Sequence, residues 1–173
     1  YTHKYGKIDR FESLNEYWLE TEAALRTDFN VPGYKTHDIM TIKKKSEMKK
    51  VFESLDLAVP KGKVVETLED AFQFVEEIGY PVVLKPDIGV GANHTHKIDN
   101  DDELIEIFQK KTDQPYIMEE YISGKICTYD GLTDRDGKPV FYTSMVYSEG
   151  VMEVVNADNH VYYYSLRDVP QDI

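Results

Sequence analysis

The sequence predicts an α+β chain built as two small lobes. Two observations carry this. From Lys63 to Ile122 the pattern runs strand–helix–strand–strand–helix–strand, and beyond Ile122 it yields strands alone. A length of 173 residues suits one compact domain or two small lobes around a cleft.

The elements follow in order. Phe11, Leu14, Trp18, Leu25 and Phe29 fall at helical spacing, and Pro32-Gly33 ends that element. Between Lys45 and Asp56, Met48, Val51, Phe52 and Leu55 share one face of an amphipathic helix, which Pro60-Lys61-Gly62 breaks. Lys63 to Glu66 reads as a short strand. Thr67 with Asp70 three residues on is a capping-box-like start to a helix that buries Ala71, Phe72, Val75 and Ile78 and stops at Gly79. Pro81 to Leu84 is an apolar strand running into Lys85, and Thr95 to Ile98 is another. Asn100 caps a helix with Glu103 at its third position and Leu104, Ile107 and Phe108 inside. Tyr116 to Ile122 is a strand that turns at Ser123-Gly124. Lys125 to Thr133 and Pro139 to Ser148 flank the polar turn Asp134 to Lys138, and Val151 to Val155 reads as one more strand after Gly150.

Composition narrows the function classes. Hydrophobic residues make up 41% and charged residues 30%, an ordinary globular balance. No apolar run approaches the roughly 18–20 residues that cross a bilayer, and no signal-peptide order is present. The single cysteine, Cys127, has no internal disulfide partner, which points to a reducing compartment, the cytoplasm. Twenty basic against 32 acidic residues give a net charge of −12, a poor basis for gripping a nucleic-acid backbone. The basic run Lys43-Lys44-Lys45 with Lys49-Lys50 is too short for that task, although a few cations in a cleft suffice for a small anion. Tyr rather than Met at residue 1, and no terminating pattern at Pro170 to Ile173, suggest a fragment of a longer protein.

Two places look chemically active. Lys85 ends an apolar strand, where an ammonium costs free energy unless an anion meets it. Gly89 and Gly91 follow, and such glycines bring backbone N–H groups close to phosphate oxygens. The plainer alternative is a snorkelling lysine before an ordinary turn. In Glu119-Glu120-Tyr121-Ile122, period-two alternation separates Glu119 and Tyr121 from Glu120 and Ile122. One glutamate therefore points into the interior or a cleft and needs a donor, either a lysine or an adenine amino group; the alternative is a solvated edge strand.

These segments together resemble the ATP-grasp superfamily over most of the chain. The resemblance lies in the helix Lys45 to Phe52 with Leu57-Ala58-Val59-Pro60-Lys61-Gly62, then Gly79-Tyr80-Pro81-Val82-Val83-Leu84-Lys85-Pro86, the glycine flap, and Met118-Glu119-Glu120-Tyr121-Ile122-Ser123-Gly124, in the family's order. It implies an ATP-grasp fold with the nucleotide cleft between its lobes: residues 1–40 a helical connector from a preceding domain, 41–118 the N-terminal lobe, and 119–173 the start of an incomplete C-terminal lobe. It implies that Lys45 and Lys85 contact ATP phosphates, with Lys44 replacing Lys45 if the register shifts by one, and that Gly89 and Gly91 form the phosphate flap. Glu119 to Ile122 would be the adenine hinge, through the backbone of Tyr121 and Ile122 and the side chain of Glu119. Lys125-Ile126 stand where many relatives carry a glutamate, so no ribose ligand is assigned. The family's Mg²⁺ ligands, an E-x-N pattern, find no match after residue 150: Asn156, Asp158 and Asn159 fall in an expected loop, and the metal ligands are expected beyond Ile173.

His94 and His96 could share one strand face but lack a third metal ligand, and Asp134-x-Asp136-Gly137 fails as a calcium loop because Leu132 and Thr143 occupy ligand positions. Cys127 reads as packed, and Tyr162-Tyr163-Tyr164 as strand or interface. Three functions compete. The leading one, implied by the resemblance, is a ligase that uses ATP to convert a small carboxylate to an acylphosphate for attack by an amine or similar nucleophile, with ATP and Mg²⁺ as cofactors, no nucleic-acid or membrane partner, and a possible homo-oligomeric state. The fragment alone would lack the complete catalytic floor. The second is a nucleotide-binding or regulatory module without chemistry. The third, a kinase-like phosphotransferase, conflicts with glycines that follow the lysine rather than precede it.

Overall fold

The computed structural model describes residues 1–90, 92, 94–157 and 160–169. It divides into two compact units, Tyr1–Tyr121 and Ile122–Ile173. The first unit opens with α1 (Thr2–Tyr5), a 3-10 turn at Glu16–Trp18, α2 (Leu19–Asp28), α3 (Met40–Lys43) and α4 (Lys45–Ser54). It continues with β1 (Gly62–Val65), α5 (Leu68–Ile78), β2 (Val82–Pro86), β3 (His96–Ile98), α6 (Asp101–Lys110) and β4 (Tyr116–Glu120).

The four strands form one antiparallel sheet in the order β1-β4-β2-β3. Strand alternation sends Val65, Val82, Leu84, Ile98, Tyr116 and Met118 into a core closed by Ala71 and Phe74 of α5 and Leu104 of α6. Burying each of the larger of these side chains favours the fold by about 1.5–3 kcal/mol. Phe72, Val75 and Ile78 pack at the margin of that core, and Phe74 is the α5 aromatic at its centre. Both expected caps are present. Thr67 and Asp70 complete a reciprocal capping box, and the Asn100 side chain accepts the Glu103 N–H at 3.0 Å.

Two expectations for the first unit are corrected. Residues 11–14 are not helical, and Leu14 is fully exposed. The buried Arg26 and Glu22 of α2 hold this segment off the helix: Arg26 Nε donates to Phe11 O at 3.0 Å, and Ser13 N donates to Glu22 Oε2 at 2.5 Å. In α4 the apolar face is not the buried one. Val51, Phe52 and Leu55 are exposed, and Lys49 is the helix's buried residue.

The second unit contains β5 (Asp130–Thr133), β6 (Pro139–Thr143), β7 (Met145–Tyr147), α7 (Val151–Ala157) and β8 (Tyr163–Ser165). β5 and β6 form an antiparallel hairpin with Gly131 opposite Tyr142. Its turn is held by Asp134 Oδ1, which accepts the N–H groups of Asp136 and Lys138, so the aspartate serves turn geometry. β7 pairs with β8, and Cys127 bridges to Val146. The expected strand at Val151 to Val155 is instead helix. The Val154 N–H finds its acceptor locally in Gly150 O at 3.0 Å, and this outweighs the β-branched composition. Asn156 thus lies in α7 rather than a loop, and Asp158 and Asn159 lie outside the described residues.

Candidate functional site

The sheet face opposite the core carries Lys85 and Glu119. Val83 pairs with Glu119 and Lys85 with Ile117, so Lys85 and Glu119 are diagonal neighbours on one face. Lys85 Nζ lies 2.5 Å from Glu119 Oε2. The other oxygen, Oε1, meets Lys49 Nζ at 2.9 Å. Glu119 is 7% exposed, and Lys49 also donates to Pro60 O. The inward glutamate of the pair is therefore Glu119, and its partners are lysines. β1 approaches so closely here that a Cβ on Gly62 would stand 2.8 Å from Glu119 Cγ.

The second centre is Asp87, fully buried directly after the strand that holds Lys85. α4 begins at Lys45 behind Lys44, which gives it no side-chain cap. Asp87 supplies one from across the fold. Its Oδ1 accepts the Ser46 N–H at 2.8 Å, its Oδ2 accepts the Ser46 hydroxyl at 2.7 Å, and its carbonyl accepts the Lys45 N–H at 2.9 Å. A carboxylate at a helix N-terminus also complements the helix dipole. Lys44 Nζ stands 3.7 Å from Asp87 Oδ2.

This anchoring fixes Lys45. Its Nζ donates to Gly89 O at 3.0 Å, joining α4 to the glycine turn. Burial, followed by the Lys85 ammonium, pushes the Lys45 amine below the ordinary lysine range, against the opposing pull of Asp87, Glu119 and Glu16. The Lys85 ammonium thus acts on Lys45, which is bonded to the Gly89 turn. Lys44, Lys45, Lys49 and Lys85 against Asp87 and Glu119 leave a local positive excess in a chain of net charge −12.

The remaining expected residues divide. Gly89 lies in the turn, where an added Cβ would meet Pro86 Cβ at 3.4 Å; Gly91 lies outside the described residues. Glu120 faces away from Glu119, and its Oε1 accepts the Lys61 N–H at 2.7 Å while its own N–H donates to Lys61 O. Tyr121 N donates to Pro81 O at 3.3 Å, and the Tyr121 ring lies under Lys97 Nζ at 5.1 Å. Ile122 opens the second unit and is exposed. Sequence reasoning missed Lys49, Ser46 and Asp87. Lys49 stands one helical turn after Lys45, the spacing that places both on one face, and Asp87 directly follows Lys85-Pro86.

Residues 44–145 match the family described as "Carbamoyl-phosphate synthase L chain, ATP binding domain". The carbamoyl phosphate synthase arginine-specific large chain of Bacillus subtilis (strain 168) is 26% identical over 135 residues, 75% of this chain and 13% of that protein. The chain therefore spans a small part of that relative. Among solved structures, the L-amino acid ligase from Bacillus licheniformis superposes with a TM-score of 0.66 at 19% identity, over 86% of this chain and 38% of the ligase. The biotin carboxylase domain of Hydrogenobacter thermophilus 2-oxoglutarate carboxylase, solved with MgADP, ADP and bicarbonate, gives 0.63 at 23% identity, over 73% of this chain and 31% of that one. At those identities the likeness is one of fold, the ATP-grasp fold. With the family match covering more than half of its residues, the chain belongs to the ATP-binding domain family of the carbamoyl-phosphate synthase large chain.

Proposed function

We propose that the chain is the nucleotide-gripping part of an ATP-grasp ligase, with Lys45 and Lys85 on the phosphates. The observation that carries this is the Lys45 ammonium, which donates to Gly89 O at 3.0 Å and is burdened both by burial and by the charge of Lys85. An anion between them removes that penalty, and phosphate oxygens suit two lysines and a glycine turn. Glu119 keeps Lys85 and Lys49 in place on the sheet face. Asp87 holds the start of α4 so that Lys45 projects from a fixed point. In this reading the chain segment Glu119 to Ile122 serves as the adenine hinge through backbone groups.

Bound ATP would supply the phosphoryl group that converts a carboxylate to an acylphosphate with release of ADP, and an amine or similar nucleophile would then displace phosphate from the acyl carbon. The residues of this chain bind and orient, and their lysines neutralise phosphate charge. Among the described residues no three His, Cys, Asp or Glu side chains cluster as a metal site. Residues 41–118 serve as the nucleotide lobe, and 119–173 begin the other. No helix among the described residues is long and apolar enough to cross a membrane; the single cysteine suits a ligase of the cytoplasm.

Calorimetric titration of ATP into the chain and its Lys85→Ala variant tests this reading. Loss of one charge-assisted phosphate contact weakens binding roughly tenfold or more. Equal affinity in the two proteins overturns it.

A further inference from the structure

Next to the Gly89 turn the first unit holds another concavity, of about 500 Å³. It is lined by the 3-10 turn Glu16, Tyr17 and Trp18 and by Ile88, Gly89 and Val90. That volume lies within the range of small-molecule sites. The 3-10 turn is held in place by Asn15, whose side chain accepts the Tyr17 N–H at 2.8 Å. Tyr17 and Trp18 stand edge to face with centroids 4.8 Å apart, and both remain more than half exposed to solvent. Two large aromatic rings left open at a cleft are surface that a ligand can cover.

The charges of the cleft choose the ligand. Its charged residues are Glu16, Glu20 and Lys43. Lys43 is bonded to Glu20, so these two cancel. Glu16 is left over: among the described residues no hydrogen bond or ion pair holds its carboxylate. It is nevertheless close enough to Lys45 to act on that amine electrostatically. One carboxylate beside two aromatic rings complements a cation with an apolar body and disfavours a second carboxylate.

We propose that this cleft binds the amine nucleophile, a small primary amine whose ammonium meets Glu16 and whose apolar body lies against Tyr17 and Trp18. The selectivity for an amine stands on the cleft itself; the role of nucleophile rests on the ligase reading above. The position suits that role, because Gly89 both lines the cleft and accepts the Lys45 ammonium hydrogen bond. In the step served, the ammonium gives one proton to Glu16, and the free amine nitrogen bonds to the acyl carbon. The bond from that carbon to the phosphate oxygen breaks, and phosphate departs with its electron pair and the second proton.

Trp18 is the single tryptophan of the chain, so its emission reports on this cleft without a label. Phenethylamine, phenethyl alcohol and benzoate are titrated separately into the chain without nucleotide. Phenethylamine is expected to saturate the Trp18 response at concentrations about tenfold lower than the alcohol or benzoate. In Glu16→Gln, checked for native circular dichroism, the amine falls to the affinity of the alcohol; Tyr17→Ala weakens the amine and the alcohol together. Equal affinities of amine and alcohol in the parent chain, or unchanged amine affinity in Glu16→Gln, overturn the proposal. The two readings fail separately. If phenethylamine binds as expected while ATP does not bind, the ligase reading falls and the amine site stands. If ATP binding depends on Lys85 while the amine shows no preference, the amine site falls alone.

Discussion

Lys85 Nζ lies 2.5 Å from Glu119 Oε2, a diagonal contact across the antiparallel pair of β2 and β4. The same carboxylate receives Lys49 at 2.9 Å through its other oxygen. One anion therefore balances two cations, and the Glu119 and Lys49 side chains are about nine-tenths buried. Glu119→Gln leaves two ammonium groups without their counter-charge, and unfolding in urea is expected to show a loss of about 2–4 kcal/mol. A loss below about 0.5 kcal/mol, the size of an ordinary surface substitution, would mean that the carboxylate does not hold the lysines.

Gly62 is the point where the neighbouring strand leaves room for this triad. A Cβ there would stand 2.8 Å from Glu119 Cγ, 3.1 Å from Lys49 Cε and 3.2 Å from the Met118 carbonyl oxygen. The two side chains can move, but the carbonyl belongs to a paired strand and cannot. Gly62→Ala is expected to cost about 1–3 kcal/mol and to weaken ATP binding by displacing Glu119 and Lys49. Gly124→Ala, where an added Cβ meets nothing within 4 Å, serves as the neutral comparison in thermal denaturation. Equal melting temperatures for the two variants would rule out a steric role for Gly62.

What the sequence made legible were features that close over a few residues. Thr67 with Asp70, Asn100 with Glu103, and the alternation around Glu119 each declare themselves within one turn or one strand. The partners of Glu119 did not, because Lys49 comes from a helix whose apolar stripe suggested a different inner face. Hydrophobic spacing identifies the face that apolar packing would choose; here an ion pair chose instead. The same limit applies at residues 11–14, which the side chains of Arg26 and Glu22 hold out of a helix that spacing alone allows. At Val151 to Ala157 the error ran the other way, since β-branched residues favoured a strand that found no partner.

Asp87 caps α4 from outside the helix, which makes it a link between fold and site. Asp87→Ala removes the acceptors of both the Ser46 N–H and the Ser46 hydroxyl in a fully buried position. The expected loss is about 1–3 kcal/mol, from one cap and one orphaned, half-buried donor on Ser46. ATP affinity should fall as well, because Lys45 starts the helix that Asp87 anchors. Denaturant titration and calorimetry on one preparation separate these effects. A variant that loses stability yet binds ATP as tightly as the parent would show that Lys45 needs no such anchor.

The depressed Lys45 amine gives the site a signature in alkali. Burial and Lys85 disfavour its charged form in the folded chain, so between its lowered pKa and the ordinary lysine value of 10.5 the unfolded chain binds more protons than the folded one. In that window stability contributed by Lys45 rises with pH, because unfolding must take up a proton. Phosphate binding works in the opposite direction: an anion favours the ammonium, so nucleotide binding takes up a proton and weakens as pH rises through the same range. Calorimetry of ATP binding in buffers of different ionisation enthalpy measures that uptake directly. Proton uptake that appears on the alkaline side in the parent and disappears in Lys45→Met assigns it to this residue; uptake unchanged in Lys45→Met would place the titrating group elsewhere.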